Sequence, residues 1–307
     1  MENAKVLTAL RFYASGSYQF DVGANSYIGV SQPSVSRSIE EVTLALNRPE
    51  IFNQWVRFPN NFEELNAIRL RYSRIGSFNT MNSLESLDAS TVHMWLFFRQ
   101  KLMTQSPVYP EHLYVNRKGY HSINVQLIAD SNLKIINVCA RYPGSTNDAF
   151  IWMNSNVQTL LQNLHGAGHN NYFLLGDSGY PLRSWLLTPL EQEPLPNTPE
   201  HRYNMAHKST RSVIERVNGL LKMRFRCCLK HRVLHYVACK IINACVVLHN
   251  LCIEHGVPEP EEEDLDPVDL NLGVGNINIE NEFGRINIEL AQGRAARRTL
   301  IDQHFRR

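Results

Sequence analysis

Two periodicities divide the chain. Over residues 5–45 apolar positions recur at helical spacing. "VLTALRFYASGS" reads as one helix and "SQPSVSRSIEEVTLAL" as another, with Val35, Ile39, Val42 and Leu46 on one face. Ser31 can cap the second helix, and Pro33 sits in its first turn, where a missing N–H is harmless. Gln32, Ser34, Ser36, Arg37 and Ser38 are left toward solvent. From His121 the period falls to two. Residues 122–130 and 133–142 read as strands joined by the hairpin turn "DSN". A helix follows over about 145–164, then a buried strand in "NYFLLGDSGYP" and a Pro-rich loop in "PLEQEPLPNTPEH". Two more helices are expected over 210–226 and 234–255.

The chain of 307 residues is long enough for one large domain or two modest ones. Four segments are expected: a helical one over 1–75, an α/β domain over 76–256, an acidic linker over 257–285 and a basic helix over 286–307. The linker ("PEPEEEDLDPVD", then "GVGNINIENEFG") is disordered by composition, and the basic segment is a docking helix or a solvated tail. The net charge of +2 restricts any nucleic-acid role to local basic patches. The six cysteines lack paired CxxC knuckles, which suits reduced core thiols of a soluble, intracellular protein. "MENAKVLTAL" has no signal-peptide form. "VACKIINACVVLHNLCI" is interrupted by Lys240, Asn243, His249 and Asn250, so it reads as a core helix rather than a membrane span. A metal site formed by Cys245, His249 and Cys252 on that helix is the alternative to a packed core.

Three carboxylates stand where elements present side chains to a cleft. Asp148 lies in "YPGSTND" at a helix entry, Asp177 ends "YFLLGD", and Glu215 lies inside "TRSVIERVNGLLKMRF". On a helical wheel Arg211, Glu215 and Lys222 fall within about 40° of one another, opposite an apolar face. Singly, each acid reads as a helix-dipole charge, a turn cap or an ion-pair partner. Jointly, carboxylates delivered from a strand end and a rigid helix are how a Mg²⁺ site for phosphodiester chemistry is assembled. Nearby cations, including Arg117, Lys118, Arg211, Lys222, Arg224 and Arg226, would bind backbone phosphates. The polar face around Arg37 has the form of a helix-turn-helix reader, or of a simple solvated face.

"YVNRKGYHSINVQ", "YPGSTNDAFIW", "LLGDSGYPLRSWLLTP", "RYNMAHKSTRSVIERVNGLLKMRFRCC" and "IINACVVLHNLCIEHG" together resemble the Harbinger (PIF) transposase family, nearest its transposase-derived nucleases of animals. The resemblance runs in order from about Val6 to the C-terminus. It implies an RNase H-like α/β fold behind a small helix-turn-helix segment whose N-terminal portion is absent. It further implies a DDE endonuclease that uses a divalent metal, Mg²⁺ or Mn²⁺, on double-stranded DNA. A nuclear location with a cytoplasmic pool follows, with a Myb-like partner aiding import and targeting and no membrane role. Asp177 takes the second triad position and Glu215 the third, within the pattern Arg211-x3-Glu215-x6-Lys222; Asp148 matches an additional acid. The chain departs from the family pattern at Tyr142, Asn147 and Asn218.

The first triad Asp is missing. Residues 81–106, "MNSLESLDASTVHMWLFFRQKLMTQS", fit neither period, and Asp88 is their only Asp. With permitted codons, reading residues 80–106 one frame over can yield NEFPGVFGCIDCTHVAIFSPKANDPV, which restores a strand, the acid and the following histidine in family order. The lost Asp would be encoded across the Ser90/Thr91 boundary. The window therefore reads as out-of-frame translation, and the expectation is a domain lacking a central strand as well as an acid. Beside an endonuclease stand two alternatives: a catalytically dead DNA- or partner-binding protein, and a product that does not fold.

Overall fold

A computed structural model describes residues 2–65, 90–98, 110–116, 119, 121–170, 172–229, 235–260 and 288–306. Its centre is a five-stranded sheet in the order β3-β2-β1-β4-β5. The strands are β1 (Ser90–Phe98), β2 (His121–Ala129), β3 (Ile135–Pro143), β4 (Leu174–Leu175) and β5 (Leu186–Leu187). β1 to β3 pair antiparallel, whereas β4 and β5 run parallel to β1.

This overturns the expectation of a missing strand. Ser90–Phe98 occupies the middle of the sheet, with a register shift between Val92 and Met94. Strand pairing uses backbone groups that every frame supplies, and "STVHMWLFF" is rich in residues that suit a strand. Asp88 lies outside the described residues, as do Arg117 and Lys118 and residues 261–287, most of the expected acidic linker.

The β2–β3 hairpin follows the sequence reading to within about two residues, because its alternation is strong. Ile123, Val125 and Leu127 enter the largest apolar cluster. That cluster is shared with the N-terminal helices α1 (Glu2–Ser15), α2 (Gln19–Gly23), α3 (Gln32–Leu46) and α4 (Pro49–Trp55). Val35 and Ile39 are buried as the spacing predicts, while Ser38, expected in solvent, is buried and donates to the Ser34 carbonyl at 2.8 Å. Ser31 is the N-cap residue of α3, but its hydroxyl meets Ser34 Oγ rather than a backbone N–H.

The 145–164 helix is two helices, α5 (Asp148–Met153) and α6 (Asn156–Gly166). Ser155 separates them by capping α6, its hydroxyl accepting from Val157 N at 3.2 Å. α7 (Pro199–Arg224) starts eleven residues before the expected position. Thr198 caps it by accepting from His201 N, and Pro199 fills the first turn, so the tail of the Pro-rich stretch is a helix start.

α8 (His235–Glu254) is long and apolar enough to cross a membrane by length and composition, yet it forms the core against β3, α3 and α4. Asn250 fixes it there, donating to the Trp55 and Ile135 carbonyls and accepting from Ile135 N. α9 (Ile288–His304) is a docking helix. Leu300 and Ile301, with Phe305 just beyond, pack on Phe173, Leu175, Leu187 and Tyr203. Arg297 donates to the Thr188 and Pro189 carbonyls, and Arg183 pairs with Glu289 at 2.7 Å.

Candidate active site

The candidate carboxylates come from three elements around one end of the sheet. Asp177 stands two residues past β4, in a turn held by its own side chain: Oδ1 accepts from Gly179 N at 2.8 Å. Parallel pairing sets Ser90 and Thr91 of β1 beside Leu174 and Leu175, so the position assigned to the lost acid lies two to three residues from Asp177 in register. Glu215 projects from the middle of α7, with its side chain 60% exposed, and Arg211 one turn earlier approaches it at 3.6 Å.

Asp148 is the most enclosed of the three. It opens α5, is 2% exposed, and accepts from Asn124 Nδ2 at 2.7 Å. Asn124 belongs to a polar seam, Ser122-Asn124-Gln126, on the face of β2 opposite the apolar residues, and all three are buried. Asp148 is therefore enclosed beside β2.

Asp148, Asp177 and Arg211 act on one buried ring. Tyr180 is buried, and burial above all pushes its phenol well above the ordinary range; Asp148 and Asp177 push the same way and Arg211 opposes them. His207, one turn before Arg211 on α7, is lowered to about 4, chiefly by burial. Its bond to the Leu187 carbonyl and the charge of Asp177 favour the imidazolium, while Arg211 and Arg297 disfavour it. Asp177 and Arg211 thus act on the same two buried rings, and Arg211 links them to Glu215. Asn124, Tyr180 and His207 were not singled out from the sequence. The spacing His207-x3-Arg211-x3-Glu215 was the available signal, since residues four apart share a helix face.

The cations divide. Arg37 is exposed on α3, and its guanidinium donates to Ser34 Oγ at 3.3 Å. Lys222, expected at phosphate, is 5% exposed; the stripe it shares with Arg211 and Glu215 turns inward at that end because Leu220 and Leu221 are core residues. Arg224 is half-buried and donates to the Val257 and Pro258 carbonyls, Arg216 pairs with Glu259 at 2.6 Å, and Arg226 is half-buried. His249 does not join Cys245 and Cys252 at a metal; its Nε2 meets the Leu133 carbonyl at 2.8 Å.

Residues 103–250 match the family model described as DDE superfamily endonuclease. The chain is 36% identical over 287 residues to the human protein named "Putative nuclease HARBI1", covering 87% of this chain and 75% of that one. Its Xenopus laevis namesake is 30% identical over 308 residues, covering 98% and 79%. A Mos1 transposase in a pre-cleavage transpososome aligns with 84% of this chain and 80% of its own at 16% identity, but a TM-score of 0.22 supports no structural argument.

Proposed function

The chain belongs to the Harbinger transposase-derived nuclease family, a DDE superfamily endonuclease group, and from that premise we propose a divalent-metal-dependent DNA endonuclease site in which Asp177 and Glu215 are the metal ligands. The observation that carries this reading is Arg211, paired with Glu215 and acting together with Asp177 on Tyr180 and His207. The sheet order β3-β2-β1-β4-β5, with only β4 and β5 parallel to β1, supports an RNase H-like layout in which the second acid follows the fourth strand.

The donor set suits a hard cation: two carboxylates, one half-buried and one largely open to water and substrate. Bound there, Mg²⁺ or Mn²⁺ would stabilise charge on the oxygens of a phosphodiester. The protein's part is positioning. Gly179 N–H orients the Asp177 carboxylate, α7 holds Glu215 rigidly, and Arg211 offsets negative charge between acids and phosphate. Asp148, held by the Asn124 amide, is a positioning residue whose charge acts on Tyr180.

A second reading has its own observation. β1, "STVHMWLFF", contains no carboxylate where the first triad acid belongs. On that reading the chain binds double-stranded DNA through Arg37 and Arg211 without cutting it. Both readings place the protein in the nucleus with a cytoplasmic pool, aided by a Myb-like partner, on family likeness alone. A plasmid-nicking assay with Mg²⁺ or Mn²⁺ separates them. Metal-dependent nicking lost in Asp177→Asn and Glu215→Gln supports the nuclease; DNA binding unchanged by either variant, with no nicking, supports the binder.

A further inference from the structure

Three thiols meet just past the C-terminal end of α7. Cys227 and Cys228 form the 3-10 turn Arg226–Cys228 after α7, and Cys245 lies midway along α8. Their sulfurs all lie within 4.8 Å of one another, and Cys227 Sγ stands 3.7 Å from Cys245 Sγ. A single ion bonded to sulfur at about 2.3 Å holds its sulfurs roughly 3.7–4 Å apart, so one pair already has the spacing. All three residues are at most 1% exposed. The backbone around them is tightly packed: a Cβ on Gly16, just after α1, would come within 2.8 Å of the Arg226 carbonyl group and 2.9 Å of Cys227 N.

From this geometry we infer a three-coordinate, all-sulfur site for one soft monovalent ion, Cu(I), at the junction of the 3-10 turn with α8.

The donor set selects the ion. Sulfur ligands favour soft metals, and among the described residues no imidazole or carboxylate joins this cluster. Structural Zn²⁺ takes four ligands, and burial of all three cysteines keeps water from serving as the fourth. The surroundings are apolar, with Tyr13, Phe225 and Val246 in the same cluster. Each sulfur that binds the ion does so as a thiolate and gives its proton up to solvent. Because binding releases these protons, it tightens as pH rises. Cys139, Cys239 and Cys252 stand apart from the cluster.

The test is anaerobic titration of the reduced full-length chain with Cu(I) buffered by a chromogenic chelator, read by chelator absorbance and sulfur-to-copper charge transfer. A Cys139→Ser/Cys239→Ser/Cys252→Ser variant keeps the cluster and is expected to bind one equivalent, more tightly at pH 8 than at pH 6. Cys245→Ser in that background should weaken binding at least tenfold while unfolding cooperatively in urea. The proposal is overturned if the cluster-only variant binds no stoichiometric Cu(I), or if Zn²⁺ displaces Cu(I) from it. Should Cys245→Ser fail to fold, the cluster-only variant decides alone. None of these readouts depends on DNA cleavage.

Discussion

Asn124 on the central hairpin donates its amide to the Asp148 carboxylate at 2.7 Å, with both residues at most 2% exposed. A buried carboxylate stripped of its donor keeps its desolvation penalty, and hydrogen bonds to charged groups are worth about 1.5–3 kcal/mol. Asn124→Leu should therefore lower the urea unfolding free energy at pH 7 by about 2 kcal/mol. The loss should shrink in Asn124→Leu/Asp148→Asn, where no charge remains to be solvated. Equal losses in the single and double variants would show that the bond does not hold the acid.

The register of β1 makes the missing acid testable. Ser90 and Thr91 pair with Leu174 and Leu175, just before Asp177. Replacing Ser90 or Thr91 with Asp should raise metal-dependent nicking at least tenfold, and Glu215→Gln should abolish the gain. Asp88→Asn should change nothing in the unaltered chain. If the unaltered chain cleaves DNA and Asp88→Asn abolishes cleavage, Asp88 is the working acid.

Acid should destabilise the fold through its buried histidines. His207 and His249 are both lowered to about 4, first by burial. Between about pH 6.5 and 4 the unfolded chain takes up these protons and the folded chain does not, so stability falls as pH drops through that window. Each site contributes up to about 3 kcal/mol across it. Urea midpoints measured from pH 7 to pH 4 should fall, and His207→Gln should flatten the slope. A slope unchanged in His207→Gln and His249→Gln would assign the acid sensitivity to other groups.

Docking of α9 should carry measurable stability. Phe305 is 5% exposed, its ring set edge-on to Tyr203 at 5.9 Å, and its carbonyl accepts from Arg202. Phe305→Ala should cost about 3–5 kcal/mol. A loss under 1 kcal/mol by urea unfolding would mean that the helix packs without stabilising the domain.

Arg37 is predicted to contact phosphate. Arg37→Ala should weaken binding to duplex DNA and reduce the slope of log K against log salt by about 0.9, the share of one released counterion. An unchanged slope would leave α3 as a solvated face.

Local chemistry made much of this protein readable from its residues. Alternation in "SINVQLIAD" and "KIINVCARY" sufficed for the β2–β3 hairpin, and the apolar run of α8 for a core helix, because short-range periodicity mirrors a face that must be buried. The position of Asp177 past a strand and of Glu215 within a helix was legible in the same way. Tertiary structure decided what depends on partners distant in sequence. Ser90–Phe98 is a strand because β2 and β4 supply backbone groups on both sides, whatever its own pattern suggests. The two-residue strand β5 has too little sequence to show a period and exists through its pairing with β4. Lys222 is buried although its wheel position matches that of Arg211, since a wheel records angle but not how far a neighbouring element extends along the helix. Cys227, Cys228 and Cys245 lack any spacing that would join them, and they meet only because α8 folds back over the turn that ends α7.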